Sequence, residues 1–286
     1  MVPARRLKAL ALALAILMPL PATARDESPG LKGVFPEAVT AGFILRFDAL
    51  PPDLRRQRML FRLDGEGRPT LLAGRTLIRM GDEVELQRLP EGMGLDDFAW
   101  MCDGTFLAVT GRRLALPLGD RLETLLELPG RDMRIQPADG SRLYLHGGDT
   151  REMRLNLYLY RKGGSLMRLA EMPYPITAVS GDGDAAFVAV GRSILIAAPG
   201  KAVSLVFRPR FEVTSLAKAP PWGLFYATHR NVGFVRRSGQ GFSFLEGRNV
   251  QVHARGETLY LFIPGQGIVR AGPIEAFAEM AEHLTE

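Results

Sequence analysis

Short strands in groups of four, joined by Gly turns and recurring about every 40 residues, with middle strands apolar at consecutive positions, predict an all-β fold: a six-bladed propeller. The clearest unit runs Phe98-Ala99-Trp100-Met101-Cys102, a turn at Asp103-Gly104, a strand over 106–110, a turn at Gly111-Arg112, a strand over 114–116, a turn near Gly119-Asp120, and a strand over 124–128. The same order recurs from 57 to 89, around Asp64-Gly65 and Gly74-Arg75, and again around Asp139-Gly140 and Asp182-Gly183. Two later units keep the spacing without the Asp-Gly turn, at Pro220-Pro221 and Arg255-Gly256. Steps between the clear turn anchors at 64, 103, 139 and 182 are 39, 36 and 43 residues. A four-stranded blade takes about 40 to 45. Segments such as Ala186-Phe187-Val188-Ala189-Val190 are apolar without alternation, so both faces must be covered, as they are for a blade between two neighbours.

From the N-terminus, Arg5, Arg6 and Lys8 precede a mostly apolar run over 9–20 and the small residues of Ala22-Thr23-Ala24. This predicts a signal peptide over 1–24, too short in its apolar part for a membrane span, and hence export to a periplasm or beyond. Residues 25–40 read as a linker and 41–272 as the propeller. The last unit supplies three strands, over 250–254, 258–263 and 268–271; Phe43-Ile44-Leu45-Arg46-Phe47 is placed to serve as its fourth and close the ring, leaving no open edge there. In the tail, 273–286, Ile274, Phe277, Ala281 and Leu284 fall at helical spacing behind Pro273, which predicts a short docked helix.

On this repeat length and these Gly turns the chain resembles, over 40–272, the six-bladed propellers of bacterial exported proteins, broadly the TolB, NHL and SMP-30 or strictosidine-synthase-like groups, with no one family singled out. The resemblance implies a central channel; calcium-dependent hydrolases of these groups place carboxylates and Asn in it, and no matching set transfers residue by residue to this sequence.

With 47% hydrophobic and 23% charged residues the chain falls in the ordinary globular range. Losing Arg5, Arg6 and Lys8 with the signal takes the formal net charge from +5 to +2. Basic residues are 31 Arg against 5 Lys, and no basic run is read as having interleaved aromatics, which argues against nucleic-acid binding. The single cysteine, Cys102, excludes internal disulfides and cysteine-built metal sites; its apolar surroundings predict a buried thiol.

In such a blade the second-to-third-strand turns and the blade-to-blade links share one rim. Five consecutive units present arginine in those turns: Arg75; Arg112 and Arg113; Arg151 and Arg154; Arg192; Arg230. Guanidinium forks suit carboxylate, phosphate or sulfate. A Gly-Arg hairpin is equally comfortable with its arginine merely solvated, and the links add Asp48, Asp53, Glu91, Asp96, Asp97, Asp132, Glu212 and Glu246, so the expected rim is mixed in charge.

His146 and His229 fall near the ends of second strands and Asp149 is close to the first, which raises a two-His metal site; His253 lies in a first strand and His283 in the tail. Asp97 precedes an innermost strand and is the candidate channel carboxylate, whereas Asp182-Gly183-Asp184 reads as a turn. No nucleophile elbow, phosphate loop, dinucleotide fingerprint or HExxH motif occurs. The sequence thus points to an exported, monomeric, non-catalytic binding or scaffolding module without cofactor, whose partner is an envelope protein or anionic ligand. The alternative is a channel-centred hydrolase or lactonase dependent on calcium or zinc, using Asp97 with His146 or His229; a small-molecule or glycan binder without turnover is a third reading.

Overall fold

A computed structural model describes residues 32–89, 94–119, 121–138, 141–182 and 185–283. The proposed signal peptide, Glu91, Asp120, the Asp139-Gly140 turn, Gly183-Asp184 and Leu284 lie outside these residues.

The chain folds as a six-bladed propeller. Each blade is an antiparallel sheet, and in blades 1 to 4 the strands follow chain order outward from the hub, while blades 5 and 6 take their outermost strands from the N-terminal segment. The innermost strands are Met59–Leu63, Asp97–Trp100, Met133–Pro137, Ile176–Asp182, Val213–Ala219 and Gln251–Arg255, for blades 1 to 6. Thr40–Arg46 pairs with Gly267–Gly272 and supplies the fourth strand of blade 6, so the ring closes as expected. One feature of the expected linker differs. Lys32–Gly33 forms a short strand on the outer edge of blade 5, opposite Glu246 and Leu245. Gly33 is required there: a Cβ would stand 2.5 Å from the Phe244 carbonyl oxygen.

Middle strands such as Pro69–Ala73 are buried throughout, while outer strands such as Val84–Arg88 are mostly exposed. Six apolar clusters fill the six blade interfaces, and the one between blades 5 and 6 also takes in the C-terminal helix Glu275–His283. Phe277 of that helix is fully buried against Phe225 and Phe244 of blade 5 and against Phe35. Glu282 pairs with Arg236 beside it.

Side chains of the innermost strands tie neighbouring blades by accepting main-chain N–H bonds across the interface. Asp97 accepts from Ile135, Ser180 from Lys218, and Ser215 from Val252, at separations of 38, 38 and 37 residues. Each separation is one blade repeat. Gly74, Gly111 and Gly191 adopt φ of +60°, +57° and +58°, which is why the Gly-Arg turns on the opposite side of each second strand demand glycine.

Candidate functional site

Two regions hold the predicted residues, and they differ in how those residues are engaged. At the hub, Asp97 is fully buried and closed in an ion pair with Arg62 of blade 1, whose Nη2 lies 2.7 and 2.8 Å from the two carboxylate oxygens. The Phe98 and Ile135 N–H groups donate to the same oxygens at 2.9 and 3.1 Å. Arg62 also donates to the Phe61 carbonyl at 2.8 Å. The carboxylate expected to face a ligand is therefore a joint between blades 1, 2 and 3, and it does not belong to the rim. Asp96, its neighbour, is engaged by the Gly111 N–H at 2.7 Å.

His146 is buried opposite Arg134. Burial holds its imidazole down at about 4, and Asp97 partly opposes that shift while Arg134 and Arg62 add to it. His253, buried in the innermost strand of blade 6, stands edge-on to Phe61 at 4.9 Å and is held at about 3 by burial and, to a lesser degree, by Arg62. Both are neutral bases at pH 7. The pair His146 and His229 is not brought together, because His229 is exposed in a turn of blade 5. Among the described residues no three of His, Cys, Asp and Glu are grouped to hold a metal ion. The hub donor set also suits calcium or zinc poorly, since the oxygens of Asp97 face a guanidinium and two amides.

A cavity of about 410 Å³ opens at the C-terminal ends of the innermost strands, lined from all six blades, with Arg62, Asp64, Trp100, Gln136, Lys218 and His253 among its walls. Cys102 also lines this mouth and is exposed, against the expectation of a buried thiol. The strand ends at Trp100; Met101 turns inward, 1% exposed, and Cys102 enters the turn.

The arginines stand on the opposite rim in four different situations. Arg75 is engaged within the chain. Arg151 and Arg154 sit on a short helix, Arg151–Leu155, instead of a plain loop; Thr150 caps it by accepting from the Met153 N–H at 3.2 Å, and Arg154 donates to the Gly148 carbonyl. Arg112 donates to the Leu128 and Pro129 carbonyls, at 3.4 and 3.2 Å. With Arg113 and Arg131 it lines a cleft of about 670 Å³ between blades 2 and 3, in which Asp96, Glu127 and Asp132 match the three cations one for one.

The cleft between blades 4 and 5 has about 630 Å³ and a different balance: Tyr174, Pro175, Arg192, Arg210, Phe211 and His229 line it with a single carboxylate, Glu212. The guanidinium carbons of Arg230 and Arg210 lie 4.9 and 5.4 Å from the centre of the Phe211 ring, and the His229 ring meets it edge-on at 5.4 Å. Among the described residues, none of Arg192, Arg210 and Arg230 forms an ion pair. Arg210, Phe211 and Tyr174 were not anticipated. The run Arg208-Pro209-Arg210-Phe211 in a blade link carries the signal, a short basic stretch ending in an aromatic, against the expectation that no basic run has one.

No protein-family model matches the chain, and no curated protein matches it in sequence. Solved structures do. A gluconolactonase from Xanthomonas campestris is 11% identical, covering 85% of this chain and 98% of that one, with a TM-score of 0.58. Virginiamycin B lyase from Staphylococcus aureus is 12% identical, covering 78% and 82%, at 0.56. A TolB-type protein from Agrobacterium tumefaciens is 13% identical, covering 76% and 91%, at 0.53. At such identities the likeness shows the propeller fold and the architectural resemblance, and a fold hosts both enzymes and binding modules. No helix of the described residues is long and apolar enough to cross a membrane.

Proposed function

We propose that this protein is an exported, non-catalytic binding module of the cell envelope that holds an anionic partner on the blade 4–5 sector of its hairpin rim. The observation that carries the reading is a set of arginines without ion pairs among the described residues: Arg192 and Arg210 line a cleft whose one described carboxylate is Glu212, and Arg230 and Arg210 lie over its Phe211 ring. Guanidiniums laid on a ring keep their N–H edges free for carboxylate or phosphate oxygens. Arginine and aromatic side chains are also the types that dominate binding energy at protein interfaces. Crosslinking in intact cells, followed by purification of the mature chain, tests this: the wild type should retain a partner that the Arg192→Glu, Arg210→Glu, Arg230→Glu variant loses. Retention by the folded variant would sink the reading. Export is tested by fractionation and N-terminal sequencing, with a chain starting at Arg25 expected.

A channel hydrolase has in its favour the cavity at the hub and the gluconolactonase and lyase among the similar structures. Against it stands the saturation of Asp97 by Arg62 and two amides. Loss of a screened hydrolytic activity in a folded Asp97 variant would favour that second reading.

A further inference from the structure

We infer that the blade 4–5 cleft recognises an acidic peptide segment in which carboxylates flank an apolar side chain; this rests on the rim being the binding surface and names what it takes. Half of the argument is charge. Arg192, Arg210 and His229 line one cleft with Glu212 as its carboxylate among the described residues, and Arg230 lies over the Phe211 ring of that cleft; none of the three guanidiniums has an ion-pair partner among the described residues, so an occupant bearing several carboxylates is the complementary one.

The other half is the apolar surface between those charges. Tyr174 is 68% exposed beside Pro175 on the link from blade 3, and Phe211 is half-buried on the link from blade 4, both lining the same cleft. An isolated carboxylate or phosphate would leave these rings wet. A peptide side chain lying between Tyr174 and Phe211 covers them while its acidic neighbours reach Arg192, Arg210 and Arg230.

A single-stranded nucleic acid also combines aromatic and arginine contacts, but it needs a cationic track that follows its backbone. Among the described residues the cationic surface is interrupted on this rim: the cleft between blades 2 and 3 sets Asp96, Glu127 and Asp132 against Arg112, Arg113 and Arg131. An anionic membrane surface meets the same interruption. A short peptide fits within one cleft and is not affected by it.

The test is selection of a random dodecapeptide display library on the mature chain, followed by fluorescence anisotropy of the enriched peptides. Two or more Asp or Glu residues adjacent to an apolar residue are expected in the consensus. Binding should weaken with added salt and fall at least about tenfold in the Arg210→Glu, Arg230→Glu variant, less in Tyr174→Ala, and by less than about threefold in Arg112→Glu, Arg113→Glu. A consensus without acidic residues, no enrichment, or binding only of oligothymidine or of phosphatidylglycerol vesicles overturns the inference. Equal affinity for acidic peptides lacking the apolar residue overturns the peptide chemistry alone. If the cellular partner is still lost in the triple arginine variant while no peptide is selected, the rim reading stands and this inference falls.

Discussion

The hub of the ring and the blade 4–5 stretch of its rim are built from the same residue types, arginine, histidine, carboxylate and aromatic ring, and use them in opposite ways. At the hub the Arg62 fork closes on Asp97, two main-chain amides complete that carboxylate, and both histidines are buried and neutral. On the rim Arg210 and Arg230 rest on Phe211 without an ion pair among the described residues, and His229 is exposed. What separates a structural charge from one available to a ligand is how many of its bonds the fold already makes. The comparison predicts a double dissociation: hub changes alter stability and leave binding per folded molecule intact, and rim changes do the reverse.

The largest expected effect is at the hub. Asp97→Asn strands the largely buried Arg62 guanidinium without its counter-charge and should cost about 3–5 kcal/mol, since breaking one partner of a buried pair leaves the other uncompensated. At roughly 2–4 °C per kcal/mol for a chain of this size, calorimetry would register it clearly. Replacing both members together, Arg62→Met with Asp97→Leu, should recover much of the loss. An Asp97→Asn protein as stable as the wild type would break the comparison at its hub end.

Acidification sharpens the same contrast. The folded-state values of His146 and His253, about 4 and about 3, lie below the ordinary histidine value, so the unfolded chain binds more protons in the interval between. Stability is therefore intact near pH 7, declines as pH falls below about 6.5, and stops declining from these groups near their folded values, with His253 carrying the larger loss. Urea midpoints at a series of pH values measure the slope. His146→Gln should flatten part of it.

Smaller effects belong to the rim. Reversing Arg192, Arg210 and Arg230 to Glu should abolish partner capture while each change moves stability by no more than about 0.5 kcal/mol, the usual range for exposed sites. Reversing Arg112 and Arg113 should change capture by less than about threefold, because that cleft already balances its charges. The smallest expected effect is that of metal. Neither EDTA nor added calcium or zinc should move the thermal midpoint, whereas a native-state ion at ~100 times its dissociation constant would add about 2.7 kcal/mol.

Much of the architecture was legible because it follows from periodicity. Consecutive apolar residues in strands such as Thr258–Ile263 demand two covered faces, and the missing fourth strand of the last unit called for the segment at Phe43 to Phe47, which the structure places within the strand Thr40–Arg46 except for Phe47. Helical spacing of Ile274, Phe277 and Ala281 announced the docked tail. The site was legible only in part, because engagement is a property of neighbours far along the chain. The partner of Asp97 comes from 35 residues away, in another blade. Nothing near Arg112 in sequence shows that Leu128 and Pro129 hold it. The cluster at Phe211 assembles from two blade links and two hairpin turns, at 174, 192, 210 and 229, each unremarkable alone. Cys102 was misplaced for a simpler reason: the strand ends two residues earlier than its apolar run implies.

The most direct test of the central claim places a photo-crosslinking residue either at Tyr174, in the blade 4–5 cleft, or at Cys102, in the channel mouth on the opposite rim, and activates it in intact cells. The account predicts a discrete adduct from position 174, lost when Arg210 and Arg230 are reversed to Glu, and none from position 102. An adduct from position 102 alone, or one from 174 indifferent to those arginines, would contradict it.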